Sequence, residues 1–200
     1  KRQLFCYGSA NPADGPDCAK AFAALAERYP LCGLKLHPRR QGFSNADFPA
    51  VKALVEEAAN RGLPTLIDCF PYGKGALQDD SLELIDALAE ALPKASLIIA
   101  HMGGIRILEA LIVARTSYTI YLDLSLIYSV YRGSHIEDDI FYAIRRIGAD
   151  RCLYGSDYPD VDLTQAYEDM RAALSARGFT AEDQEWIFGK TAESVLHFAS

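Results

Sequence analysis

The sequence predicts an α/β fold of the TIM-type (β/α)8 barrel, with six of its eight β-α units in these 200 residues. Three observations carry this. Short apolar or β-branched runs of about six residues alternate with longer stretches of helical spacing. The runs recur every 23 to 33 residues or so, the pitch of units whose strands run parallel. Almost every run ends in a reactive side chain: His37, Asp68, His101, Asp123 and, just past the last, Asp157. A doubly wound sheet concentrates its chemistry at one switch point, whereas a barrel collects it from many strand ends around one mouth.

The strands are read at 4–8, 32–37, 64–69, 96–101, 119–124 and 152–156, each too short for a helix and followed by turn residues. Their near-continuous hydrophobicity requires cover on both faces. Val51, Leu54, Val55 and Ala58 have helical spacing, and Gly62-Leu63-Pro64 stops that helix before the third strand. Leu82, Ile85, Ala89 and Leu92 mark the next helix. Ser134-x-x-Glu137 reads as a capping box, and Thr180-x-x-Asp183 as a weaker one. A full barrel takes about 250 residues. The expectation is therefore a single domain over 1–200 that lacks its first two strands, with roughly 50 residues upstream of Lys1.

Composition excludes several function classes. With 20 Lys+Arg against 27 Asp+Glu the formal charge is −7, so there is no basic field for nucleic acid. No apolar run approaches the roughly 18 residues of a membrane span. Five cysteines, an odd number with no C-x-x-C pair, point to reduced thiols and a cytoplasmic protein. A homo-oligomer is a compatible assembly.

Four segments carry a resemblance: Gly33-Leu34-Lys35-Leu36-His37-Pro38, Pro64-Thr65-Leu66-Ile67-Asp68, Ile99-Ala100-His101-Met102-Gly103-Gly104 and Tyr154-Gly155-Ser156-Asp157-Tyr158-Pro159. In order and spacing they resemble the amidohydrolase superfamily, in its amidohydrolase-2 branch of metal-dependent hydrolases and decarboxylases. Phe188-Gly189-Lys190-Thr191-Ala192-Glu193 is similar to that branch's last helix. The resemblance implies that Asp157 is a metal ligand that also handles the proton of the attacking water. It implies that His101 binds metal or polarises the substrate. Asp68 stands where the family usually has a histidine ligand, an exchange that favours harder metals. The family's H-x-H pair has no counterpart among His37, His101, His135 and His197, and its ligands are expected upstream.

Structural roles compete with each of these. Asp157 suits a turn before Pro159, and His101 suits a satisfied core histidine in front of Gly103 and Gly104, which leave room for a ligand and open a helix attractive to anions. Asp68 ends an apolar strand and needs a partner: a metal, Lys35 or a backbone N–H. Lys35 and His37 read either as substrate-binding groups or as an ion pair and a rim histidine. Arg39 and Arg40 read as a carboxylate clamp or an exposed basic loop. Cys69 is a small buried hydrophobe, and Tyr128, Tyr131 and Tyr142 line a pocket or simply pack. His135 needs no role beyond a helix start, and His197 has none assigned.

The reading that results is a metal-dependent hydrolase cleaving a C–O or C–N bond of a small, anionic carbonyl compound such as a lactone or amide. A divalent metal, zinc or manganese, held by Asp157, Asp68 and His101, supplies hydroxide near neutral pH. Asp157 and His101 are the catalytic pair, and Lys35, His37, Arg39 and Arg40 bind substrate. The alternatives are a non-oxidative decarboxylase of the same branch and a metal-free binding protein on the same barrel.

Overall fold

The computed structural model describes residues 4–196, so His197 lies outside the described residues. Six strands alternate with six long helices: β1 (Cys6–Gly8), α1 (Cys18–Arg28), β2 (Leu31–Leu36), α2 (Phe48–Asn60), β3 (Thr65–Ile67), α3 (Ser81–Ala91), β4 (Leu97–Ile99), α4 (Ile107–Thr116), β5 (Ile120–Asp123), α5 (Ile136–Ile147), β6 (Cys152–Leu153) and α6 (Leu163–Ala176). All neighbouring strands pair in parallel, and their order in the sheet is their order in the chain. The six predicted runs are all strands; β2 keeps its predicted length one residue earlier, and the other five are shorter than read. Leu4 and Phe5, for instance, precede β1 and are exposed.

Strand alternation divides the sheet into two faces. Leu34, Leu36, Ile67, Ile99 and Leu122 join the main core with Val51, Leu54, Val55 and Ala58 of α2 and Leu84, Ile85 and Leu88 of α3. The residues between them form a cross-strand row on the other face, where Lys35 pairs with Leu66, Leu66 with Ile98 and Ile98 with Tyr121. Ile98 and Leu153 anchor a second apolar cluster there, which includes Leu66 and Tyr121 and is closed by Val195 of the terminal turn Thr191–Val195. Two positions beyond Lys35, Leu66 and Tyr121 stand His37, Asp68 and Asp123, so on these three strands this face ends in titratable groups.

Local signals met mixed outcomes. Gly62 adopts φ 72° and ends α2 as expected. Thr180 and Asp183 form their capping box, as do Ser44 and Asp47. The box expected at Ser134 and Glu137 does not form. The Ser134 hydroxyl donates to Tyr131 O, and the Glu137 carboxylate accepts the Gly133 N–H instead. All five cysteines are free, and Cys69 is buried, its thiol donating to Ile67 O. Among the described residues no helix is long and apolar enough to cross a membrane.

Candidate active site

At the C-terminal ends of the strands lies a cavity of about 500 Å³, whose polar lining is Lys35, His37, Arg40, Asp68, His101, Asp157 and Asp160. Phe70, Tyr72, Leu126 and Pro159 are its apolar walls. Five different strand ends contribute, as a barrel mouth requires.

Lys35 and His37 reach the cavity because Leu34 and Leu36, on the alternate positions, are fully buried against the helices. The His37 N–H donates to Gln41 Oε1 at 2.6 Å, which fixes the backbone where β2 turns into the short helix Pro38–Gln41. Arg39 and Arg40 part company on that helix. Arg40 lines the cavity with its Nε 3.4 Å from the Tyr72 hydroxyl. Arg39, expected to bind substrate, instead donates to the carbonyls of Tyr72, Lys74 and Gly75 and lies over the Tyr72 ring, so it secures the loop that forms one wall.

Asp68 is the hub. Its Oδ2 accepts from His101 Nε2 at 3.1 Å, and Lys35 Nζ and His37 Nε2 stand at 3.6 and 3.7 Å. Burial disfavours the Asp68 carboxylate, yet the His101 hydrogen bond and the Lys35 charge prevail and bring its pKa down to about 2. The other His101 ring nitrogen, Nδ1, donates to Ser125 O at 3.0 Å. Burial works against an imidazolium here too, but the Asp68 hydrogen bond and the Asp123 and Asp68 charges outweigh it and raise the His101 pKa to about 9. The two carboxylates thus favour the doubly protonated ring. His37 differs: burial lowers its pKa despite Asp68.

Asp157 responds in the opposite sense to Asp68. Burial raises its pKa, with Asp160 and Asp123 adding to the effect against the pull of His101 and Lys35. Its backbone is also unusual, because His101, Leu126 and Asp157 all have φ between 53° and 65° without being glycine. Such conformations are disfavoured and persist where the surroundings impose them, commonly at active sites. All three of these residues line this one cavity.

Sequence reasoning missed Phe70, Tyr72 and Asp160 in the lining, and Ser125 behind His101. Asp123 was noticed as a strand-end group and given no role. The Tyr128, Tyr131 and Tyr142 group does not line the cavity: Tyr128 packs on Phe141, Tyr131 leans on Phe70, and Tyr142 is exposed. Gly103 and Gly104 are not an open anion site. A Cβ on Gly104 would come 2.4 Å from Pro71 Cδ, and α4 begins three residues later at Ile107.

The amidohydrolase family model matches residues 3–198. The chain belongs to the amidohydrolase family. No curated protein matches it. Among solved structures it is similar to an uncharacterized TIM-barrel protein from Bordetella bronchiseptica, at 20% identity and a TM-score of 0.75 over 98% of this chain and 67% of that one. It is also similar to a dihydroxybenzoic acid decarboxylase from Polaromonas with bound manganese and the inhibitor 2-nitroresorcinol (15% identity, TM-score 0.67, 94% of this chain, 68% of that one). A third is a putative 2-pyrone-4,6-dicarboxylic acid hydrolase from Pseudomonas putida (20% identity, TM-score 0.62, 93% and 70%). At these identities the likeness establishes the fold.

The manganese bound in the Polaromonas structure raises the question of whether this chain's own donors fit a metal. Among the described residues no group of three or more His, Cys, Asp or Glu side chains could hold a metal ion. The expected trio of Asp68, His101 and Asp157 shares the cavity without being drawn together as such a group. His101 Nδ1 donates to Ser125 O, and Asp68 Oδ2 is engaged by His101 Nε2 at 3.1 Å and by the Lys35 ammonium at 3.6 Å.

Proposed function

We propose that this member of the amidohydrolase family is a hydrolase that cleaves a C–O or C–N bond of a small anionic carbonyl compound, such as a lactone or amide. The observation that carries the reading is the coexistence, in one cavity of about 500 Å³, of a carboxyl with a raised pKa, Asp157, and two cations, the half-buried Lys35 and the buried His101. Arg40 binds the substrate's carboxylate, and His37 and Tyr72, in edge contact with ring centroids 6.2 Å apart, border it. Lys35 spends one ammonium proton toward Asp68 and keeps others for a carbonyl oxygen. As that oxygen gains charge, the Lys35 ammonium and the His101 imidazolium stabilise it. Asp157 takes the proton from the attacking water and returns it to the departing oxygen or nitrogen. Phe70 and Leu126 limit water at the reacting centre.

The same raised Asp157 carboxyl also suits delivery of a proton to carbon, which makes a non-oxidative decarboxylase the second reading. A panel of carboxylated lactones, amides and aromatic acids, assayed in parallel for ring opening and for carbon dioxide, separates the two. Ring opening or amide cleavage without carbon dioxide supports the hydrolase, and carbon dioxide release supports the decarboxylase. Binding of the panel without turnover, in wild type and Asp157→Asn alike, overturns both in favour of a binding protein.

A further inference from the structure

We propose that Asp123, acting through Ser125, is the positioning residue that holds His101 in the cavity. The inference deepens the proposed function, because it rests on the His101 ring acting in that cavity.

After β4 the chain does something its sequence resists. His101, Met102, Gly103 and Gly104 have φ values of 53°, 49°, 78° and 62°, a run of four left-handed residues of which two have side chains that disfavour it. Something must hold that run in place, and the end of β5 supplies it. Asp123 Oδ2 accepts the His101 backbone N–H at 3.1 Å and also the Ser125 hydroxyl proton. Asp123 Oδ1 accepts the Ser125 N–H at 3.2 Å. Ser125 in turn receives the ring proton of His101 Nδ1 on both its carbonyl oxygen and its hydroxyl oxygen, each at 3.0 Å. Backbone and ring of His101 are thus both referred to one carboxylate.

Two further observations favour positioning over a direct role. Asp123 is buried and does not line the cavity, and both its oxygens are occupied. Space is also kept for the pair by a neighbouring strand end, since a Cβ on Gly155 would lie 3.0 Å from Ser125 Cβ and 3.4 Å from Asp123 Oδ1. That gives the glycine of the Gly155-Ser156-Asp157 motif a steric reason tied to His101 rather than to the backbone, because its own φ is ordinary.

The test is hydrogen exchange by NMR on the whole chain with 15N-labelled backbone and histidine rings, using Asp123→Asn and Ser125→Ala. Asp123→Asn, which replaces one acceptor oxygen by a donor, is expected to speed exchange of both the His101 backbone N–H and its Nδ1–H by about tenfold or more. Ser125→Ala leaves Asp123 in place, so the Nδ1–H is expected to exchange about tenfold faster while the backbone N–H stays within about twofold of wild type. Exchange unchanged at both protons in Asp123→Asn overturns the proposal. If that variant does not fold, unchanged Nδ1–H exchange in Ser125→Ala overturns it. Neither readout needs a substrate, so an enzyme inactive on every compound tried, yet showing this exchange pattern, refutes the proposed function and leaves the positioning role standing. In an active enzyme Ser125→Ala is expected to lower kcat by about tenfold with KM nearly unchanged, as for a group misaligned only in the transition state.

Discussion

His101 and Asp68, 33 residues apart in the chain, are joined by a buried hydrogen bond of 3.1 Å that perturbs both groups in opposite directions. The imidazole is raised to about 9 and the carboxyl lowered to about 2. Stability should therefore depend on pH at two ends. A raised folded-state pKa gives stability that is complete below the free imidazole value of 6.5 and disappears as pH climbs through about 9. The depressed carboxyl contributes fully above 3.8 and loses its contribution as pH falls toward about 2. Urea unfolding should show a loss of about 2 kcal/mol between about pH 6 and pH 9.5, most of which is absent in His101→Asn.

Gly104→Ala tests the packing that supports the left-handed run. The new Cβ would meet Pro71 Cδ at 2.4 Å, in a residue whose φ of 62° is itself unfavourable for alanine. A destabilisation of about 2 to 3 kcal/mol is expected, measured by thermal or urea unfolding. Tolerance within about 0.5 kcal/mol would show that the Phe70–Pro71 segment yields readily.

Arg39 and Arg40 should separate cleanly by mutation. Arg39→Ala removes the bonds to Tyr72, Lys74 and Gly75, so proteolysis within residues 72–78 should accelerate by about tenfold. Arg40→Ala should leave cleavage unchanged and weaken the binding of a small dicarboxylate by about tenfold, read by calorimetry.

Asp157→Asn should reduce kcat by about 1000-fold with little change in unfolding free energy. Because burial raises the pKa of Asp157 and a base must be ionised, activity should decline on the acid side at a pH above the ordinary carboxylate range. An acid limb that persists unchanged in a variant lacking this carboxyl would assign it to another group.

Much of this was legible in the sequence because strand periodicity is a strong constraint. Once Leu34 and Leu36 are assigned to the core, Lys35 and His37 have one face left, and the same reasoning brings in Asp68. What sequence could not resolve were relations set by direction and by competition. Arg39 and Arg40 are adjacent, but successive helical residues point about 100° apart, so one reaches the cavity and the other the loop. The resemblance implied Asp68, His101 and Asp157 as metal donors, whereas a motif carries no information on which polar partners a side chain meets in the fold, here Lys35 and His101 for Asp68 and Ser125 for His101. At Ser134 and Glu137 the residue types of a capping box were present, and nearer backbone partners at Tyr131 and Gly133 took them.

The account depends most on His101 being a fixed cation beneath the substrate. The direct measurement is an NMR titration of the ring nitrogens in the 15N-histidine-labelled chain. Both His101 nitrogens should remain protonated at neutral pH and titrate near 9, with Asp68→Asn shifting that value downward. A neutral His101 ring at pH 7, titrating at or below its ordinary 6.5, would contradict it.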